Sequence, residues 1–192
     1  MKGDSGYWDI RTIVTALGKV YSVDWTSDSS KLLACGENKK FQVWETTNYN
    51  QIGGNFDVGE IIWSCRFTSD DSVAVGLENG QVRIYSSTYT NSVIQTFTPS
   101  SSSKTLSLQC EDGTYNFIAA HENGKGYVTN DTNPLISDSN AMRAAAYSKT
   151  GDYFMVGGES SQVHIFEGPS HTETFTFTEP SKILSADFKD NG

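Results

Sequence analysis

The chain repeats itself, and that repetition constrains its fold more than any other feature. Trp25, Phe67, Cys110, Tyr147 and Phe188 fall at equivalent places, separated by 42, 43, 37 and 41 residues. A strand opens each unit: Val20–Trp25, Ile62–Phe67, Leu106–Cys110, Met142–Tyr147 and Ile183–Phe188. Apolar or small residues alternate along these runs, the pattern of a crowded strand with one buried face. A polar turn follows each time, as in Thr26-Ser-Asp-Ser-Ser30 and Glu111-Asp-Gly-Thr114, then a second apolar run. The expected second strands are 31–35, 72–76, 115–119 and 153–157.

A third strand follows a tight turn. The segments beginning at Glu37, Glu78, Glu122 and Glu159 align without gaps over eight residues, ending at Trp44, Tyr85, Thr129 and Phe166. A weaker fourth strand closes the unit, as in 92–97 and 172–177. Four short strands per forty-residue unit describe a propeller blade. The expected class is all-β: a β-propeller of four-stranded antiparallel blades. The expected single domain spans 1–192, with blades at 19–58, 60–99, 104–138 and 141–178. Residues 7–17 and 182–192 are expected to belong to incomplete blades.

At this level of detail the chain resembles the WD-repeat family. The carrying residues are Phe67-Thr-Ser-Asp-Asp71, Val75-Gly76 and Glu78-Asn-Gly-Gln-Val-Arg-Ile-Tyr85, together with Trp8-Asp9 and its near version Trp44-Glu45. The repeats are degenerate. The Gly-His dipeptide of the family is missing from every unit, and Asn38, Asn79, Asn123 and Ser160 replace its turn Asp. The buried His–Ser–Asp–Trp network of many members therefore cannot form. Members mostly close with seven blades, so four whole units imply a partial propeller: part of a longer protein, or an open array completed by a neighbouring chain.

The resemblance places the turns at Glu37, Glu78, Glu122 and Glu159 on the face where partners of such propellers dock. Two readings compete for these residues. As a ring of carboxylates they attract a partner with basic segments. As products of repeat symmetry they brace turns whose next residue caps the local backbone. Bracing is the preferred reading, because nothing marks a buried site. Lys19, Lys104 and Lys182 recur six residues before the aligned position and are expected near the same rim. Trp63 stands where Ile61-Ile62 replace a rim Lys, and serves either as a binding hot spot or, preferably, as packing between blades. The Ser-rich segment 98–105 is a connector, or a phosphorylation target.

Composition narrows the function classes. The net charge of −9 repels phosphate backbones, which argues against a nucleic-acid partner. Cys35, Cys65 and Cys110 form no CxxC pair and fall in apolar runs, which suits a reducing, cytoplasmic setting, with cytoskeletal association as a further option. No stretch reaches membrane-spanning length, so no membrane insertion is expected. His121, His164 and His171 have no metal-ligand spacing, and no nucleophile elbow, phosphate loop or HExxH occurs. No catalytic, cofactor or metal residue is expected. The expected role is a non-catalytic protein-interaction scaffold in a multiprotein complex. The alternatives are an architectural subunit, for example cytoskeletal or ciliary, and, more remotely, a propeller hydrolase or ligand-binding protein, which would need His121, Glu122 and an Asp in one pocket.

Overall fold

The computed structural model describes residues 12–53, 55–68 and 70–189, and among these no residue is helical. The Trp8-Asp9 dipeptide lies outside the described residues. The first sheet contains β1 (Val20–Trp25), β2 (Lys31–Gly36), β3 (Phe41–Glu45) and β4 (Gln51–Gly53). The second contains β5 (Ile62–Phe67), β6 (Val73–Leu77), β7 (Val82–Tyr85) and β8 (Val93–Phe97). In the third are β9 (Thr105–Cys110), β10 (Phe117–His121), β11 (Lys125–Val128) and β12 (Ile136–Ser137). The fourth is built from β13 (Met142–Tyr147), β14 (Tyr153–Gly158), β15 (Gln162–Glu167) and β16 (Glu173–Thr178). Strands pair in chain order and antiparallel within each sheet.

The inner strands β1, β5, β9 and β13 pack against one another in sequence, so the sheets fan about a common axis. Alternate residues of each second strand face opposite neighbours. Leu33 and Cys35 of the first blade meet Cys65, Val73 and Val75 of the second. Ala74, Ile84 and Phe97 of the second meet Leu108, Phe117 and Ala119 of the third. Ile118 and Ala120 of the third meet Ala145, Phe154 and Val156 of the fourth. Burying both faces of every middle strand is what makes these runs almost continuously apolar. Ala144, Ala145 and Ala146 are all buried, because small side chains fit where the blades converge.

Gly76 shows how closely. A Cβ there would stand 2.5 Å from Ser64 Oγ and 2.6 Å from Thr105 Cγ2 on the next blade. Gly80 closes the β6–β7 turn at φ +86°, a conformation that L side chains rarely adopt.

Two strand expectations need correction. Residues 183–188 form no ladder. An inner strand pairs with the second strand of its own blade, and this segment instead docks on the fourth blade, through one backbone bond from the Ile183 N–H to the Gly158 carbonyl at 2.9 Å and through Ile183, Ala186 and Phe188 against Met155 and Val163. The second strand of the third blade begins at Phe117 rather than at 115. Glu111 holds Thr114 Oγ1 at 2.9 Å and Asn116 Nδ2 at 2.8 Å, which lengthens the preceding turn.

Candidate interaction rim

The four Glu residues occupy equivalent places. Each donates its backbone N–H to the carbonyl that opens the inner strand of its own blade: Glu37 to Lys19 at 3.0 Å, Glu78 to Ile61 at 2.9 Å, Glu122 to Lys104 at 3.0 Å and Glu159 to Ala141 at 2.9 Å. This bond fixes the β2–β3, β6–β7, β10–β11 and β14–β15 turns at one end of the blades. Two of the turns are further tied by their Asn: Asn79 Oδ1 accepts the N–H of Gln81 at 3.0 Å, and Asn123 Oδ1 that of Lys125 at 3.3 Å. Asn38 acts differently, donating through Nδ2 to the Ala16 carbonyl at 3.1 Å.

Every one of these carboxylates has a cation or donor beside it. Lys19 Nζ lies 3.1 Å from Glu37. Lys104 Nζ lies 3.3 Å from Glu122 and 3.9 Å from Glu78, joining the third blade to the second. Arg143 Nε lies 2.5 Å and Lys182 Nζ 3.2 Å from Glu159. Trp63 donates its indole N–H to Glu78. The hydrogen bond from Lys19 holds the Glu37 carboxyl below the ordinary carboxylate range, and the one from Arg143 does the same for Glu159. Four carboxylates therefore face four cations, and the rim is a charge-balanced ring rather than a free negative one.

Trp63 is the focal point of this rim. Its ring stacks on Tyr21 of the first blade, centroids 4.4 Å apart and 8° from parallel. Lys104 of the third blade places its ammonium 4.8 Å from the Trp63 centroid. Three successive blades thus meet at one side chain. Tyr21 and Arg143 were not singled out by sequence reasoning. The signal was available: Tyr21, Trp63, Leu106, Arg143 and Leu184 each stand four residues before the aligned position.

Below the rim, a groove of about 500 Å³ runs along the inner strands, lined by Asp24, Arg66, Gln109 and Arg143 among others. Arg66 spans it. Its Nη1 donates to Ser22 Oγ at 3.0 Å and to its neighbour's carbonyl at 2.8 Å, and its Nε donates to Gln109 at 3.0 Å. Burial raises the Asp24 pKa, and the Phe67 N–H, 2.8 Å from Oδ2, opposes that shift. Hydrogen bonds from Arg66 and to Asp24 therefore tie the first three blades together along the groove.

The remaining candidates separate. His121 is fully buried against Tyr127, while Glu122 turns out to the rim beside Lys104. His164 pairs with Glu173 at 2.8 Å on the last blade. Among the described residues no group of three or more His, Cys, Asp and Glu could hold a metal ion. No helix there is long and apolar enough to cross a membrane.

Comparison with known proteins agrees with this architecture. The family model for the WD domain, G-beta repeat, matches residues 9–45, which contain β1, β2 and β3 and end with Trp44-Glu45. No curated protein matches the sequence. A chain from the crystal structure of a mitotic checkpoint complex superposes with a TM-score of 0.69 over 93% of this chain, at 18% identity. This chain spans 62% of that one's length. In all 1225 solved chains match, so the shape by itself singles out no activity. Residues 9–45 thus match a WD repeat, and the described residues fold as four four-stranded antiparallel blades of a β-propeller.

Proposed function

We propose that this chain is a non-catalytic docking platform for other proteins within a multiprotein assembly. The rim of Glu37, Glu78, Glu122, Glu159, Lys19, Lys104, Lys182 and Trp63 is its contact surface. One observation carries the reading: four equivalent turns stand at one end of rigid blades, and an aromatic side chain is held among them by residues of three blades. Half-buried aromatics on a rigid frame are the usual anchors of protein interfaces. The paired charges lend orientation more than affinity.

A photo-crosslinking side chain placed at Glu37 or Glu122, in the protein expressed in its own cell, tests this. Protein adducts are expected there and not from Asp112, which lies in the turn at the opposite end of its blade. Adducts confined to Asp112, or turnover by the purified protein, would overturn the proposal.

A second reading, an open array completed by a neighbouring chain, is favoured by a different observation. Val23 and Trp25 are 55% and 50% exposed, whereas their equivalents Cys65, Phe67, Leu108 and Cys110 are buried against the preceding blade. On the fourth blade Phe175 is 59% exposed. Size measurement of the isolated chain separates the readings: a stable complex formed through these faces supports completion by a neighbour, and a soluble monomer opposes it.

A further inference from the structure

We infer that Trp63, Glu78 and Glu122 form a site for a single cationic side chain, and that Lys104 is its built-in occupant, displaced when a partner's lysine or arginine docks. The inference rests on the docking role proposed above and names the chemistry that the rim recognises.

The walls of the site are held by groups other than Lys104. Tyr21 fixes the plane of the Trp63 ring by stacking on it. Trp63 orients the Glu78 carboxylate through its indole N–H, leaving Oε1 toward the Lys104 ammonium. Glu122 is fixed by its backbone bond to Lys104's own carbonyl, which does not depend on the ammonium. An aromatic ring and two carboxylates on different blades therefore converge on one point, and that point holds an ammonium: 4.8 Å from the ring centroid, 3.3 Å from Glu122 and 3.9 Å from Glu78. Such a combination of π-face and carboxylates is how proteins bind lysine-like and arginine-like groups.

The other rim pairs differ. Lys19–Glu37 and the Arg143–Glu159–Lys182 cluster have no ring contact with their cations among the described residues. Among the described residues, only the cation between the second and third blades lies against an aromatic ring.

Exchange at this point is easy. The Lys104 side chain is 28% exposed, and those of Glu78 and Glu122 are 36% and 47% exposed. Ion pairs and cation–π contacts at this exposure are individually weak. A tethered partner that brings its own cation loses little at the site and keeps every other contact it makes. The surrounding net charge of −9 draws basic segments toward it. Lys104 thus keeps the site filled without a partner and sets a threshold against weak ones.

The test uses a short peptide with one lysine, blocked at both ends, and follows the Trp63 indole N–H by NMR, assigned from the loss of its signal in Trp63→Phe. In Lys104→Gln the peptide is expected to bind about fivefold more tightly than in wild type, with its effect centred on the Trp63 signal. The same peptide with norleucine in place of lysine is expected to leave the signal unmoved. In Lys104→Gln/Glu78→Gln/Glu122→Gln the gain is expected to vanish. Equal or weaker binding by Lys104→Gln overturns the inference, as does undiminished binding by the triple variant. Unchanged melting temperatures confirm that each variant folds. Failure of the crosslinking experiment above with success here would retain the cation site and reject the docking role. The reverse outcome would retain the docking face and reject its occupant.

Discussion

Ser64 donates its hydroxyl to the carbonyl of Thr105, 3.2 Å away on the next blade. The bond belongs to a series. Ser22 Oγ donates to the Cys65 carbonyl at 3.3 Å, and Ser107 Oγ accepts the Ala145 N–H at 3.2 Å. Each serine stands three residues before the aligned position, on the inner strand, where sheets meet edge to edge without a ladder to join them. The hydroxyl supplies a polar stitch that two flat apolar faces cannot provide.

Ser64→Ala removes the stitch at the second joint. It is expected to lower stability by about 1 kcal/mol, read as a lower urea midpoint at unchanged slope. Gly76→Ala adds a methyl between Ser64 Oγ and the Thr105 side chain and is expected to cost about 2 kcal/mol through overpacking. In the double variant, loss of the Ser64 oxygen makes room for the new methyl, so the combined cost should fall short of the sum. Strict additivity would mean that the two residues do not share the joint.

The blade architecture was legible because its cause is periodic. Burial on both faces forces apolar runs such as Val73–Leu77 and Phe117–His121, and each Glu-Asn-Gly turn announces the next strand. The rim was only half legible. Glu37, Glu78, Glu122 and Glu159 align by eye, but whether a carboxylate is free or paired depends on side chains brought in from other strands. Arg143 reaches Glu159 across sixteen residues, and Lys104 serves two blades at once. Trp63 could be placed between blades from sequence. Its stacking on Tyr21 could not, because that contact depends on how far one blade rotates from the next. The segment 183–188 misled for a related reason: the sequence of an inner strand is written for the blades it packs against, and that packing alone builds no ladder.

His121 makes stability depend on pH. Its ring is fully buried, edge-on to Tyr127 at 4.8 Å, with Thr105 Oγ1 3.5 Å from Nε2 and the Ser103 backbone beside it opposing part of the burial effect. Burial pushes its pKa down to about 4. The unfolded chain takes up that proton near pH 6.5, the folded chain only near 4. Between these values the unfolded state binds more protons, so stability falls as pH drops from about 6.5 to about 4 and this contribution levels off below. The full span amounts to about 3 kcal/mol. Urea midpoints across this range should slope in wild type and flatten in His121→Phe. An undiminished slope in the variant would assign the effect elsewhere.

Asp70 acts at lower pH. Its Oδ2 accepts the Tyr115 hydroxyl of the next blade at 2.5 Å, and its Oδ1 accepts Thr68 Oγ1 at 2.6 Å and the Ser72 N–H at 3.1 Å. Burial raises its pKa, but these donors outweigh burial and hold it at about 2. A depressed carboxyl gives stability that is present above its unfolded pKa near 4 and is lost as pH falls toward 2. Because the group is exposed to solvent, the effect is best read as a titration. The Asp70 carboxyl carbon should titrate at about pH 2 in wild type, with a higher midpoint in Tyr115→Phe. An identical midpoint in both would show that the hydroxyl does not bridge these blades in solution.

The thiols report on how the blades open. Cys35, Cys65 and Cys110 are free and buried, each at a joint between blades. Burial pushes the Cys110 thiol up to about 12 and the Cys35 thiol well above its ordinary value, so neither supplies thiolate to an external reagent at neutral pH. Mixing the native protein with a disulfide reagent should give almost no immediate reaction. Cys35 and Cys65 lie on the two sides of one joint, so separation of the first two blades exposes both together, while Cys110 waits on the next joint. Peptide mapping over time should therefore show Cys35 and Cys65 labelled in step. If Cys65 were modified while Cys35 stayed protected, the joint would open by loosening of the inner strand alone, and the blades would not separate as rigid units.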